Sequence, residues 1–267
     1  MPNIKHIAIG LILGLLPVEL FAQPEIVYGD GVIINPSKDV QPFERIVLSG
    51  PIDMTIDNDY SEHNCKSISI SIDRNLLRYV RVSSKDRTLF ISLPPYAIPS
   101  QWARAETDCK SIRHIRAENN GRFRLYIGKD STFIKAENDD GIIRISGETK
   151  FASISAVNGG IINIKGLKAQ KSSITAGKNS FVEANNSSNI DTSIEGNGTI
   201  LLIDKTQSPY RMKKLANGVN VIAPNFYHHG FADAYFDKIE YKKLKPRLIE
   251  IAKNLSKGVT RNEKESK

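Results

Sequence analysis

The chain has little of what several functional classes require. Its 267 residues include two cysteines, one tryptophan and three methionines. Two cysteines are too few for a zinc site built from cysteine ligands, and one tryptophan does not suit an aromatic-rich lectin. The sequence also lacks a Ser–His–Asp order, a zinc motif and a complete phosphate-binding loop. It therefore favours a surface scaffold over catalysis, and we expect no cofactor and no metal ion.

Long apolar runs are missing after the N-terminus. The first residues combine a weakly basic start, an apolar run from Ile7 to Leu16, a helix-breaking Pro17 and a small residue, Ala22. This layout is typical of a secretory signal peptide, so we predict a leader over residues 1–22, cleaved near Ala22. The alternative is a retained anchor, although the run is short for a bilayer core of roughly 30 Å. The mature protein is then periplasmic, surface-bound or secreted.

The two cysteines, Cys65 and Cys109, both lie in polar stretches. An exported compartment permits disulfides and an even count suits one bridge. We predict a Cys65–Cys109 disulfide, with two free thiols as the alternative.

Short sequence units recur at intervals close to twenty residues. A glycine or serine is followed two residues later by an apolar residue, and by another two residues after that. Such alternation with a period of two indicates strands with one buried face. The first apolar positions are Phe123, Ile143, Ile162, Val182 and Ile200.

A second strand repeats more strictly, with isoleucine at Ile134, Ile154, Ile174 and Ile194. Between strands lie segments rich in Asn, Asp and Gly, which tolerate the left-handed backbone of tight corners. A fixed period near twenty residues is the signature of a solenoid. We expect like side chains to stack as columns, isoleucine above isoleucine.

These patterns predict an all-β fold: a single-stranded, right-handed parallel β-helix with coils of about twenty residues over residues 40–204. An antiparallel sandwich is the alternative. Residues 205–267 break the pattern and carry fourteen Lys or Arg against six Asp or Glu. We expect this basic segment to be partly helical, over Lys238–Leu255, and to cap the last coil or contact an acidic surface. Nucleic-acid binding is not expected.

Three stretches of the chain resemble a known family. "FERIVLSGPIDMTI" (43–56), "DRNLL" (73–77) and "DRTLFI" (86–91) are followed by glycine-containing coils, as in the head GIN domain of auto-transporter adhesins. Arg87 stands where that family usually has glycine. The resemblance covers about residues 40–204 and implies a β-helical domain of the cell surface or periplasm with a role in adhesion. The residues that match the opening strand are Phe43, Ile46, Val47, Gly50, Met54 and Ile56.

The leading functional hypothesis is a non-enzymatic, exported binding or scaffold domain of the cell envelope. Its ligand would be a glycan or protein of the envelope or of a host surface; its oligomeric state stays open. Positions between the apolar columns should be exposed and form the contact. These candidate binding residues are Arg122, Arg124, Arg144, Asn163 and Lys165.

Two other functions remain open at this point. The first is an enzyme acting on polysaccharides, for which the recurring carboxylates are Asp139–Asp140, Glu118 and Glu137. The second is an envelope protein that self-associates through its terminal coils. The adjacent His228 and His229 are more consistent with a surface loop than with a metal site.

Overall fold

A computed structural model describes residues 25–58, 65–109, 111–129, 131–185, 189–204, 211–215 and 218–224 of the chain. The predicted leader and the predicted helix over Lys238–Leu255 lie outside these residues, as do His228 and His229. The described part is mostly β, with one 3-10 helix at Arg74–Tyr79. Most strands join one large sheet, which curls around its apolar face.

The strands fall into an irregular N-terminal group and a regular group. The first group comprises β1 (Val27–Tyr28), β2 (Ile33–Ile34), β3 (Ser37–Asp39), β4 (Arg45–Ser49), β5 (Ile52–Asn58), β6 (Ser67–Asp73), β7 (Arg81–Lys85), β8 (Thr88–Ser92), β9 (Ala97–Ile98) and β10 (Ala103–Thr107). The regular group comprises β11 (His114–Glu118), β12 (Arg122–Ile127), β13 (Phe133–Asp139), β14 (Ile142–Val157), β15 (Ile161–Ala176), β16 (Phe181–Asn185), β17 (Ile190–Ile194), β18 (Gly198–Asp204), β19 (Arg211–Leu215) and β20 (Gly218–Pro224).

Strand pairing produces two ladders. The first ladder runs β7–β8–β4–β11–β13, then through the second halves of β14 and β15 to β17. The second ladder runs β3–β6–β10–β5–β12, then through the first halves of β14 and β15 to β16, β18, β20 and β19. Within the regular group the pairs are parallel except for β19–β20. The partners lie 18 to 21 residues apart in the chain, as the sequence period predicts.

The two ladders turn their apolar side chains into one shared core. In the second ladder the predicted column is confirmed, because Phe123, Ile143, Ile162, Val182 and Ile200 stand level with one another and are fully buried. The alternation of apolar and polar residues thus predicts the inward face correctly for the repeated strand of the second ladder.

The isoleucine column predicted for the first ladder is wrong at two of its three steps. Ile154 stands level with Ile174, but Ile134 faces Ala152 and Ile174 faces Thr192. For Ile134 the cause is the connection between the ladders, which is two residues longer from Ile127 to Phe133 than from Gly147 to Phe151. For Ile174 the stretch from Ile164 to Ser172 is likewise two residues longer than the stretch from Ala184 to Ile190. A shift of two keeps every side chain on its own face, so the core survives the change of register.

Tight corners depend on the predicted residue types. Asn120, Asp140, Asn158 and Asn179 all have positive φ, between 51° and 71°. The recurring glycine at 141 has a different role: a Cβ there would lie 2.7 Å from the carbonyl oxygen of Gly121 at the neighbouring corner. Close approach between adjacent corners explains this glycine, whereas conformation explains the Asn and Asp beside it.

Pairing extends past the predicted ends of the repeat. Strand β20 adds to β18 in parallel, with Gly198 level with Gly218, so the second ladder continues beyond residue 204. At the other end β2 and β3 pair with β6 before residue 40. Backbone pairing therefore continues beyond residues 40–204 at both ends.

Candidate functional site

Arg122 is not the exposed contact residue that the strand pattern predicts. It stands on β12, level with Asp53 on β5, and only 6% of its surface is exposed. Its Nε and Nη2 donate to Oδ1 and Oδ2 of Asp53 at 2.8 and 2.5 Å, and its guanidinium lies 4.6 Å from the ring centroid of Trp102. The indole of Trp102, which precedes β10, covers the arginine, so its exposure was predicted wrongly.

Asn163 is also buried, with 2% of its surface exposed. Its Nδ2 donates to Oε2 of Glu183 on the neighbouring strand at 3.1 Å, and its Oδ1 accepts the backbone N–H of Lys165 at 2.9 Å. The amide therefore ties β15 to β16 and fixes the local backbone. The prediction that it is exposed is wrong for the same reason: alternation gives the face of a residue, not what covers that face.

The other three predicted contact residues reach the surface and form what we call the basic strip: Arg124, Arg144 and Lys165. Arg124 stands level with Arg144 on adjacent strands, where neighbouring strands are about 4.8 Å apart. The Arg124 side chain is 44% exposed and its Nη2 lies 3.3 Å from Oδ2 of Asp53. Arg144 and Lys165 are half-buried. Nothing in the geometry tests ligand binding by these residues, which stays a prediction.

Three residues around the basic strip carry no signal in the sequence. Asp53 lies at an outward position of β5, whose sequence alternates like that of any other strand. Trp102 directly precedes β10, which pairs with β5, and the exposed Arg104 on β10 stands level with Asp53. Asp53 thus has arginines on both sides in the ladder, Arg104 and Arg122. Only the spatial order of the strands, β10–β5–β12, brings these residues together.

The recurring carboxylates are engaged with neighbours on the first ladder. Oε2 of Glu137 lies 2.7 Å from Nε2 of His114, and Oε1 lies 2.7 Å from Nζ of Lys135. Burial tends to raise the pKa of Glu137, but the hydrogen bonds from Lys135 and His114 outweigh it and leave the pKa below its usual value. A general acid needs the opposite shift.

The remaining predicted carboxylates are engaged within the corners and strands. Oε1 of Glu118 lies 2.6 Å from Nε of Arg116, and Oδ1 of Asp139 accepts Nδ2 of Asn158 at 3.0 Å. Asp140 occupies a corner with φ of 56°. Its residue type has a conformational explanation there, as for the asparagines at the equivalent corners.

A cavity lies at the N-terminal end of the core, between β3 and β7, which are the end strands of the two ladders. It has a volume of about 270 Å³. A neighbouring, more polar cavity of about 260 Å³ shares Lys38 and Val82 with it. We call the two together the mouth cavity. Its apolar part is lined by Pro36, Ser37, Lys38, Ile68, Ile70, Leu77, Val80 and Val82.

Cys65 and Cys109 form the predicted disulfide, with Cα atoms 4.2 Å apart. Both are buried, although their local sequences are polar. The bridge joins the segment before β6 to the segment after β10, two strands that pair antiparallel. It therefore closes the hairpin-like unit that precedes the regular coils.

The described part of the chain contains neither a metal-ion cluster nor a membrane-spanning helix. Among those residues no three His, Cys, Asp or Glu side chains are grouped to hold a metal ion. None of the helical segments there has the length and apolarity of a membrane span.

Comparison with known proteins identifies the family to which the chain belongs. The family model for the "Putative auto-transporter adhesin, head GIN domain" matches residues 42–203. The chain belongs to this head GIN domain family. The resemblance in the sequence over about residues 40–204 is thereby confirmed. No curated protein matches the chain.

Several solved structures are similar to this head GIN domain protein. One is described as a putative adhesin from Bacteroides fragilis, with 18% identity, a TM-score of 0.52, and coverage of 74% of this chain and 99% of that chain. Putative adhesins from Parabacteroides merdae and Parabacteroides distasonis have 17% and 15% identity and TM-scores of 0.45 and 0.43. Each covers 74% of this chain, and 98% and 94% of its own length respectively. At such identity the Bacteroides fragilis structure supports the fold alone.

Proposed function

We propose that this protein is an exported, non-enzymatic binding domain of the cell envelope that holds an acidic surface ligand, glycan or protein, against its basic strip. Its body is a right-handed parallel β-helix with coils of about twenty residues. Adhesion through a rigid strand surface is the activity that this arrangement supports best.

The parallel ladders support the β-helical body. Partners at a spacing of 18 to 20 residues place successive coils side by side, and the inward residues of both ladders meet in one core. Each coil is too small to bury its own apolar face, so the stack is stabilised mainly by contacts between neighbouring coils. A stack of this kind holds its outer side chains in fixed rows.

The single observation that carries the binding proposal is the register of Arg124 beside Arg144. Two guanidinium groups on adjacent strands can contact one anionic group together, and charge-assisted hydrogen bonds of this kind are strong. Arg124 is oriented by Asp53, whose carboxylate is itself fixed by the buried Arg122. The guanidinium is therefore held in place before a ligand arrives, which lowers the entropic cost of binding.

Export and an envelope location are supported by the leader-like residues 1–22 and by the family. A family of adhesin-type domains fits a protein outside the cytoplasm. The disulfide fits the same setting, because oxidising compartments allow such bonds to persist.

An array of acidic and neutral glycans and of envelope proteins tests the proposal. The purified protein is compared with the double variant Arg124→Gln/Arg144→Gln and with a charge-matched control, Lys150→Gln/Lys171→Gln, in which both lysines are exposed elsewhere on the surface. We expect an acidic ligand that the strip variant loses and the control retains, with binding that weakens as salt rises. The absence of any ligand with a folded protein, or equal loss in both variants, would contradict the proposal.

A further inference from the structure

We propose that the mouth cavity binds an amphiphile with a single unbranched alkyl chain and an anionic head, a carboxylate or a phosphate. The alkyl chain enters the apolar part and the head lies beside Lys38. This site is separate from the basic strip and goes beyond the proposed surface binding.

The cavity exists because the ladders end there. Inside the regular group each coil is covered by the next, but β3 and β7 have no further strand of the described chain on their outer sides. Two hydrogen bonds span the gap between them. Nζ of Lys38 donates to the carbonyl oxygen of Val82 at 2.9 Å, and the backbone N–H of Gln41 donates to Oγ of Ser84 at 3.1 Å.

The walls suit an alkyl chain. Ile68 and Ile70 come from the inner face of β6, Val80 directly precedes β7, and Val82 is the second residue of β7. The volume of about 270 Å³ is nearly twice that of an engineered apolar cavity of about 150 Å³ that admits benzene. Each CH₂ group of an alkyl chain that leaves water for such apolar walls favours binding. A medium-length chain therefore supplies most of the affinity.

The rim determines the charge of the head. Lys38 lines both parts of the mouth cavity, so its ammonium group stands where an alkyl chain would meet its polar end. An ammonium group has three donors, and one of them is directed at Val82. Ser83, Ser84 and Gln41 line the polar part and can hydrogen-bond a head, while the exposed carboxylate of Asp39 in the same lining offsets part of the Lys38 charge.

A concave ligand site fits the end of the ladder better than the addition of a strand from another protein. Strand addition requires the open backbone edge of β7, and the Lys38 ammonium already occupies the Val82 carbonyl on that edge. Lysine on an edge strand is a common means of preventing such pairing. A small amphiphile needs no backbone edge, and it uses the lysine as a binding partner.

Isothermal titration calorimetry with decanoate, decyl phosphate, decanol and decylamine tests the inference on the purified protein. We expect decanoate and decyl phosphate to bind with micromolar dissociation constants and decylamine to bind at least tenfold more weakly. Lys38→Gln should weaken decanoate at least tenfold and leave decanol unchanged. Val82→Phe, which fills the cavity, should weaken both at least tenfold, and Arg81→Gln, exposed on the same strand, should change neither.

Co-sedimentation with vesicles that contain lysophosphatidylglycerol, a membrane lipid with one acyl chain, distinguishes the source of the ligand. Lys38-dependent binding to vesicles as well as to decanoate identifies a membrane lipid, whereas binding to decanoate alone identifies a free acid. Either result supports the inference. It is overturned if no acid binds, if decylamine binds as tightly as decanoate, or if Lys38→Gln has no effect. The array experiment with Arg124→Gln/Arg144→Gln tests the basic strip, which is a different site. The proposal for the basic strip and the proposal for the mouth cavity can therefore fail independently.

Discussion

The buried ion pair between Asp53 and Arg122 allows a sharp test of how the outer face of the second ladder is held. Both residues are less than a tenth exposed, and two hydrogen bonds join them. Removing one partner of a buried pair leaves an uncompensated charge and costs about 3–5 kcal/mol. We expect Asp53→Ala to lower the free energy of unfolding by about 3–5 kcal/mol. Arg122→Met should lower it by less, because the Asp53 carboxylate keeps the Arg124 guanidinium 3.3 Å away. For Arg122, about 0.5–2 kcal/mol of this comes from the lost contact with the ring of Trp102.

A double variant separates the energy of the interaction between Asp53 and Arg122 from the effect of losing each side chain. Replacing both partners of a buried ion pair by apolar side chains is often neutral or stabilising, so Asp53→Leu/Arg122→Met should unfold close to the unaltered protein. Arg124→Met is the control: its side chain is 44% exposed, and such a pair contributes about 1 kcal/mol or less. Urea unfolding followed by circular dichroism gives all the values.

Two results would refute this reasoning. One is an Asp53→Ala protein within about 1 kcal/mol of the unaltered protein, which would mean that water or another group already screens Arg122. The other is a double variant whose loss equals the sum of the two single losses. Residues in contact should show coupling of 0.5–3 kcal/mol, as an order of magnitude. A sum without coupling would mean that the two side chains do not meet.

Three further predictions concern single features of the fold. Asn138 is fully buried and makes three hydrogen bonds across a corner, so Asn138→Ala should cost about 2–4 kcal/mol, read from urea unfolding. Reducing the Cys65–Cys109 disulfide should cost about 2–5 kcal/mol, measured as a lower melting temperature with dithiothreitol and refuted by an unchanged one. Burial lowers the pKa of His114, and hydrogen bonds lower that of Glu137. The unfolded chain thus binds more protons, and stability should fall as pH drops below 6.5 and then below 4.5; His114→Gln should flatten the first decline in melts from pH 7 to 5.

The sequence predicts the inward face well because alternation is a local property. The inward positions Phe123, Ile143 and Ile162 follow from alternation alone, and all three are buried and level. When a connection is longer or shorter by two residues, each following side chain stays on the same face of the sheet. Face assignment therefore tolerates the length variation that this chain contains.

Vertical register is not a local property, and the sequence predicts it poorly. Ile134 and Ile154 are twenty residues apart and suggest a column, yet Ile134 faces Ala152. The pairing depends on how many residues each connection uses to pass from one ladder to the other. The number of residues in each connection becomes clear only from the hydrogen bonds between strands. A strict period in the sequence therefore predicts more side chains at the same level than the structure contains.

Exposure on the outer face is the least predictable quantity. Arg122 and Arg124 occupy neighbouring outward positions of one strand, but the first is buried and the second half-exposed. The difference comes from Trp102, which reaches Arg122 because β10 pairs with β5. Alternation therefore identifies Arg122 and Arg124 as outward-facing, while the buried groups beside them, Asp53 and Trp102, required the structure.

Stacking strands also constrains where different kinds of ligand can bind. In the body of the ladders each strand is covered by its neighbours, so the outer surface presents rows such as Arg124 and Arg144 and suits extended ligands. Concave space arises where the ladders end, and the mouth cavity lies between the end strands β3 and β7. A curled sheet of this kind gains extended surface by adding strands, but it gains a small-molecule site only where an end is incompletely covered. Exposed apolar walls at such an end cost stability, so Val82→Phe, which fills the mouth cavity, should raise the free energy of unfolding of the ligand-free protein while it weakens ligand binding.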